Sequence, residues 1–178
     1  MAISRNSMNL LHGKAIRFEE NKTRPMGRNA SGVRGITLNG PADEVIGMVS
    51  VSDPETEILV VSENGYGKRS SLDDYRTTNR GGKGVKTLSI TDKTGDLVSI
   101  KNVSDMDDLM IINKSGIAIR MDVANLRVMG RATQGVKLIN LKGTDTIAAV
   151  AKVMKDEEEI SDNVGELPAQ ENSGTNIE

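Results

Sequence analysis

An all-β array of repeated, propeller-like units is the fold class that this 178-residue sequence predicts. Three observations predict it. Short motifs recur at a spacing of about fifty residues. Each unit reads as strand, tight turn and strand, with weak helix signals throughout. Eighteen glycines stand against four prolines, and there is no Trp, one Phe and two Tyr. Turns must be frequent, and the core must rest on Val, Ile, Leu and Met.

The repeat has two anchors. Gly13-Lys-Ala-Ile-Arg17, Gly65-Tyr-Gly-Lys-Arg69 and Gly116-Ile-Ala-Ile-Arg120 begin 52 and 51 residues apart, and Gly32-Val33, Gly84-Val85 and Gly135-Val136 keep the same offsets. Arg24-Pro-Met-Gly-Arg28 also matches Arg127-Val-Met-Gly-Arg131, and Val33-Arg-Gly-Ile-Thr-Leu38 resembles Val136-Lys-Leu-Ile-Asn-Leu141.

Taken in order, residues 1–52 form the first unit. Its opening strand, 1–6, aligns with 59–64, and 7–12 reads as an insertion at the hairpin tip. A strand beginning at Met1 suggests an array cut from something longer. The second unit is 53–104. Glu57-Ile-Leu-Val-Val-Ser62 is a β-rich run, Glu63-Asn-Gly65 a hairpin turn, and 66–72 the returning strand. A glycine-rich loop follows, then strands over 85–90 and 97–103 around a turn at 91–95. Four strands in about fifty residues is the arithmetic of a propeller blade. The third unit is 105–154. From Asp156 to Glu178 there are eight acids and no Lys or Arg. Residues 155–178 are therefore expected to be a disordered acidic tail, which either solubilises the terminus or competes with nucleic acid for a basic surface.

Several function classes are excluded or disfavoured. No run approaches the roughly 18 apolar residues of a membrane span, and no secretory signal opens the chain. There is no cysteine, hence no disulfide or thiolate site, which is compatible with the cytoplasm. His12 is the only histidine, so a histidine metal cluster or catalytic triad cannot be built. Tyr66 and Tyr75 read as packing residues. Asp105, Asp107 and Asp108 read as a solvated turn between units rather than as a metal site. The glycine-rich stretch Arg80-Gly-Gly-Lys-Gly84 is not a phosphate-binding P-loop: Gly84 replaces the required hydroxyl residue, Thr77 the first glycine, and a strand-like segment follows in place of a helix. No catalytic residue and no cofactor is expected in the chain.

Charge is sorted along the repeat. The net charge is −2, but residues 1–155 alone carry +6. The segments 12–38, 64–88 and 115–141 carry +4, +4 and +3. Equivalent positions of stacked units fall on equivalent faces, so these cations predict a basic band suited to a long polyanion such as duplex DNA. Glycines in the same loops allow backbone amides to approach phosphates. The candidate DNA-binding residues are Arg17, Arg24, Arg28, Arg34, Lys68, Arg69, Arg80, Lys83, Lys86, Arg120, Arg127, Arg131 and Lys137.

These residues resemble a known family. Ala15-Ile-Arg-Phe18, Arg24-Pro-Met-Gly-Arg-Asn-Ala-Ser-Gly-Val-Arg-Gly-Ile36, Glu63-Asn-Gly-Tyr-Gly-Lys-Arg69 and Gly130-Arg-Ala-Thr-Gln-Gly-Val136 are similar to the C-terminal domain of the bacterial DNA gyrase A protein, across nearly all of 13–153. The resemblance implies a partial β-pinwheel, the last three blades of a six-bladed ring around whose basic perimeter DNA wraps. Arg80, Gly81, Gly82, Lys83 and Gly84 are similar to the core of that family's Gln-Arg-Arg-Gly-Gly-Lys-Gly box, with Thr78 and Asn79 in place of the leading Gln-Arg. The implied partners are duplex DNA, the remainder of the gyrase A protein and the gyrase B protein, with no membrane. The intact enzyme would use ATP and Mg2+ elsewhere, to introduce negative supercoils in the bacterial cytoplasm. Competing readings are the C-terminal domain of the topoisomerase IV A protein and a propeller-like scaffold that binds proteins. Three units cannot close a six-unit ring, so unpaired strand edges are expected at both ends.

Overall fold

The computed structural model describes residues 5–10, 13–41 and 43–155. His12 and the acidic tail beyond Lys155 lie outside these residues. Eleven strands are present among the described residues: β1 Arg5–Leu10, β2 Lys14–Glu19, β3 Val45–Val51, β4 Glu57–Ser62, β5 Tyr66–Ser71, β6 Val85–Lys86, β7 Leu97–Val103, β8 Asp107–Asn113, β9 Ala118–Asp122, β10 Val136–Lys137 and β11 Ile147–Met154. Three short 3-10 turns, Glu20–Lys22, Leu72–Asp74 and Val123–Asn125, follow β2, β5 and β9. The architecture is all-β, as the repeat predicts.

The sheets do not follow the unit boundaries. Their strand orders are β3-β1-β2-β6, β10-β5-β4-β7 and β11-β8-β9. Each unit supplies a hairpin and a long closing strand to its own sheet. In the second and third units a short strand goes to the preceding sheet: β6 pairs with β2 through Lys14↔Lys86 and Ala15↔Val85, and β10 pairs with β5 through Tyr66↔Lys137 and Gly67↔Val136. Four strands drawn from one stretch of fifty residues is therefore corrected to three plus one donated by the next unit. The third sheet has three strands among the described residues.

Exchange explains both sequence anchors. Gly84 and Gly135 have φ of +71° and +81°, and a Cβ there would lie 2.6 Å from the carbonyl oxygen of Ala15 or Gly67 on the acceptor strand. Gly13 and Gly65, at +76° and +78°, sit equally tightly on the carbonyls of Leu88 and Ile139. Only glycine fits a left-handed backbone under such close approach.

Two expectations for individual strands are corrected. Ser7–Leu10 is not an insertion, because β1 runs through it with Ser7 opposite Arg17 and Asn9 opposite Ala15. Leu59 opposite Arg69 and Val61 opposite Gly67 repeat that register 52 residues on. The strand expected over 85–90 is only two residues long, since both Thr87 and Leu88 turn to donate to the Gly13 carbonyl, and its counterpart Val136–Lys137 is equally short. The matching segment 33–38 is not a strand.

The cores lie between sheets. Ile58 and Val60 of β4 pack toward the first sheet with Ala15, Val49, Val51, Leu72 and Tyr75. Leu59 and Val61 pack toward the third with Leu109, Ile111, Val123 and Leu126. The period-2 alternation of one buried strand thus serves two interfaces, which is why Glu57-Ile-Leu-Val-Val-Ser62 reads as continuously apolar.

Candidate nucleic-acid interface

The cations that follow each hairpin turn are structural. Arg17, 5% exposed, reaches across to the next unit and donates through Nη1 to the carbonyls of Leu72 (2.7 Å) and Tyr75 (3.1 Å), which cap its 3-10 turn. Arg69, 7% exposed, repeats the contact one unit on, donating to the carbonyls of Leu126 and Ala124. Its charge is met by Glu57 at 2.9 Å and by Asp105. Both arginines are withdrawn as DNA contacts: burial and carbonyl coordination make them clasps between units. Arg120 occupies the same repeat position, but its side chain is 42% exposed and pairs with Asp108 at 2.5 Å. It sits at the clasp position, not beside the glycine-rich loops.

Lys68 is also corrected. It is 1% exposed, and its ammonium donates to the Gly130 carbonyl (2.5 Å) and to Thr133 Oγ1 (3.2 Å) of the next unit. Desolvation lowers its pKa to about 8; Asp74 works against that shift and Arg131 adds to it. In the other units an isoleucine, Ile16 or Ile119, stands at this position.

The remaining candidates share one side of the repeat's grammar: the loop before each short strand and the segment after it. Arg24, Arg28, Arg34, Lys83, Lys86, Arg127 and Lys137 are exposed. Arg80 and Arg131 are half-buried and tie successive units together. Arg80 donates to the carbonyls of Lys22 (3.0 Å) and Arg34 (3.3 Å), and Arg131 donates to that of Lys86 (2.8 Å). Arg34 and Lys86 are themselves repeat equivalents. The backbone does the same: Gly81 N donates to the Gly35 carbonyl (2.6 Å), Thr37 N to Gly82 (2.9 Å), and Ser89 N to Thr133 (3.1 Å). The box-like loop, residues 80–84, is thus a joint that fixes the cations of one unit against those of the next. The Gly81 amide serves this joint, so it is not one of the donors expected to meet a phosphate.

Two cations outside the candidate set lie beside them. Lys14 lies directly opposite Lys86 across the exchanged strands, and its ammonium is 3.3 Å from Asn39 Oδ1. Arg76, exposed, lines an open cleft of about 220 Å3 with Asn79, Gly82 and Lys83 of the box-like loop. Arg76 was within reach of sequence reading, only four residues ahead of the box. Lys14 was not, since its neighbour appears only once strand exchange is known. Opposed lysines repel each other, and a polyanion relieves that repulsion.

Of the three acidic residues between the second and third units, Asp105 is exposed, as a solvated turn requires, but the other two are not. Asp107 and Asp108 are buried. Asp107 accepts from Ser104 N and Oγ (2.8 and 2.9 Å) and faces Lys152 at 3.5 Å. Asp108 pairs with Arg120 and Lys155. Lys155 also holds the Asp122 carboxyl below its ordinary pKa through a 2.8 Å contact. No group of three or more His, Cys, Asp or Glu suited to a metal is found among the described residues. Tyr75 is buried and bonded to Thr87, in keeping with a packing role. Among the described residues no helix is long and apolar enough to cross a membrane.

Comparison with known proteins gives one consistent answer. The DNA gyrase A protein of Staphylococcus aureus (strain MRSA252) is 50% identical over 149 residues, covering 83% of this chain and 17% of that protein. The chain therefore spans about a sixth of the length of the curated relatives it matches. A solved gyrase A C-terminal domain superposes with a TM-score of 0.77 at 26% identity, covering 85% of this chain and 51% of that one. The C-terminal domain of DNA topoisomerase IV superposes at 0.81 with 19% identity, covering 92% and 51%, a likeness of fold alone. The family described as "DNA gyrase C-terminal domain, beta-propeller" matches residues 12–52, 56–104 and 107–154, the three units found in the structure, and the chain belongs to that family.

Proposed function

We propose that this chain binds duplex DNA without sequence preference along its basic track and bends it across successive units. The observation that carries this reading is the joint itself. Arg80 and Arg131 hold the backbone at Arg34 and Lys86, so exposed cations of neighbouring units keep fixed spacings, as the regular phosphates of a duplex require. Among the described residues the helical elements are three-residue 3-10 turns, too short to place a recognition helix in a major groove. Phosphate contacts dominate, with Arg24, Arg28, Arg34, Arg80, Lys83, Lys86, Arg127, Arg131 and Lys137 as the contacting set.

Kinship with the gyrase A protein supports a wider role. The chain serves the DNA wrap of a type II topoisomerase that introduces negative supercoils. Its partners are the rest of the gyrase A protein and the gyrase B protein in the bacterial cytoplasm, and ATP and Mg2+ act elsewhere in that enzyme. The chain itself carries out no catalytic step. Energy transfer between dyes at the two ends of a duplex of about 60 base pairs, well below the ~150 bp persistence length, tests the bending. Addition of the chain should bring the ends closer. An unchanged distance at saturating protein would leave a protein-binding scaffold as the better reading.

A further inference from the structure

Lys68 lies in β5 opposite Val60 and is 1% exposed, and its ammonium is spent on the next unit. It donates to the Gly130 carbonyl at 2.5 Å and to Thr133 Oγ1 at 3.2 Å, while Thr133 Oγ1 donates to the same carbonyl at 2.9 Å. This triangle closes the turn that carries Arg131, one of the track cations. The first joint is built differently. There Ile16 stands at the Lys68 position, and the equivalents of Gly130 and Thr133 are Asn79 and Gly82. Those three residues line the open cleft of about 220 Å3. At the second joint the Lys68 ammonium takes up the equivalent space. The arginines differ in step. Arg80 is held by two carbonyls, those of Lys22 and Arg34, whereas its counterpart Arg131 is held by that of Lys86. Lys68 supplies a second hold on Arg131, through the turn rather than through the guanidinium.

We propose that Lys68 is a positioning residue of the DNA track: its ammonium holds the turn that carries Arg131, and DNA seated on that turn favours the ammonium in return, so that binding and protonation are coupled. The inference rests on the DNA-binding reading given above. A buried ammonium is disfavoured, and desolvation lowers the Lys68 pKa to about 8. Two charged groups face it. Asp74, in the 3-10 turn after β5, favours the proton, and Arg131, in the turn that Lys68 holds, opposes it. β4 presents Val60 there, and Tyr75 is kept neutral by burial, which raises its pKa. A phosphate on Arg131 offsets the opposing charge and adds an attractive one. The bound pKa of Lys68 therefore lies above the free one. Affinity is greatest below the free pKa and falls as pH rises through it toward the bound one. The turn follows the same course, because charge-assisted hydrogen bonds are about twice as strong as neutral ones. Ile16 and Ile119 give the other units no such dependence.

Calorimetry on the full chain tests the coupling. The chain is titrated with a duplex at pH 8, the region of the Lys68 pKa, in HEPES and in Tris, whose different ionisation enthalpies report proton uptake. The parent should take up as much as roughly half a proton more than Lys68→Ile or Lys68→Met. Taking the difference isolates Lys68 from the α-amino group, which titrates in the same range. From pH 7 to 9, at fixed salt, the parent should lose roughly threefold more affinity than either variant. A merely structural lysine would move neither readout. At pH 7, Lys68→Ile should lessen the effect of Arg131→Gln on affinity and leave that of Arg24→Gln, in the first unit, unchanged. Circular dichroism checks each variant, and Lys68→Met carries the test if Lys68→Ile misfolds. Equal proton uptake, parallel pH profiles, or independent effects of the Lys68 and Arg131 changes would overturn the proposal. A parent that binds DNA with any of these results refutes the coupling alone, whereas a parent that ignores duplex DNA refutes the DNA-binding reading and the coupling with it.

Discussion

Replacing Arg69 with alanine separates a clasp from a DNA contact. The side chain is 7% exposed, donates to two carbonyls of the next unit and lies 2.9 Å from the Glu57 carboxylate. Its removal strands Glu57, itself 20% exposed, and leaves the Leu126 and Ala124 carbonyls without their donor. Breaking a buried pair in this way costs about 3–5 kcal/mol, much of it from the charge left behind. Arg120→Ala is the internal comparison: the same repeat position, but 42% exposed and donating to no carbonyl of a next unit, with the buried Asp108 keeping Lys155 at 3.7 Å as a second cation, so its loss should be smaller than that of Arg69→Ala. Urea titrations followed by circular dichroism read both. Amide exchange adds a local readout at Met129, whose N–H donates to the Arg69 carbonyl. It should exchange far faster in the variant. Arg69→Lys should recover little, because an ammonium cannot reproduce the guanidinium fork. If Arg69→Ala matched the parent in stability while weakening DNA binding as much as Lys83→Ala, the clasp would be refuted and the residue restored to the track.

Three further outcomes follow from the joint. Gly84→Ala should destabilise more than Gly81→Ala in the same titration. Both positions have positive φ, costing roughly 1–2 kcal/mol, but the Cβ at Gly84 meets the Ala15 carbonyl at 2.6 Å while the nearest atom at Gly81 is 3.7 Å away; equal losses would contradict the exchange. Lys68→Ile should fold well, since Ile16 and Ile119 occupy the equivalent sites, and it should remove a pH-dependent contribution to stability. The folded lysine titrates near 8 rather than 10.5, so the unfolded chain binds more protons between those values and the parent gains stability relative to the variant as pH rises through that window; a flat difference curve would contradict the burial of its charge. Replacing Arg80, Lys83 and Lys86 together with glutamine should weaken binding to unrelated duplexes by the same factor, whereas loss confined to one sequence would point to base contacts.

Much of the fold was legible because glycine reports on backbone geometry. Gly13, Gly65, Gly84 and Gly135 all require positive φ under a nearby carbonyl, and that requirement marks the repeat. Partnership between strands was not legible, since pairing is settled in space: nothing in Val85-Lys86 says that it joins the previous hairpin. Charge was legible only in sum. Arg17 and Arg69 carry the same charge as Arg34, but they lie inside strands whose burial runs through the polar residues. The signal available in sequence was position. They close the hairpin motif in every unit, whereas the track cations follow the glycine-rich loops. Lys68 gave a second signal, standing where two sister units have isoleucine.

The account rests on phosphate contacts from cations held in register across units, and salt reads this most directly. If the nine track cations each neutralise one phosphate, the logarithm of DNA affinity should fall against the logarithm of salt with a slope on the order of −8. Two duplexes of unrelated sequence should give the same slope. A slope near zero, or slopes that differ between the two sequences, would contradict the account.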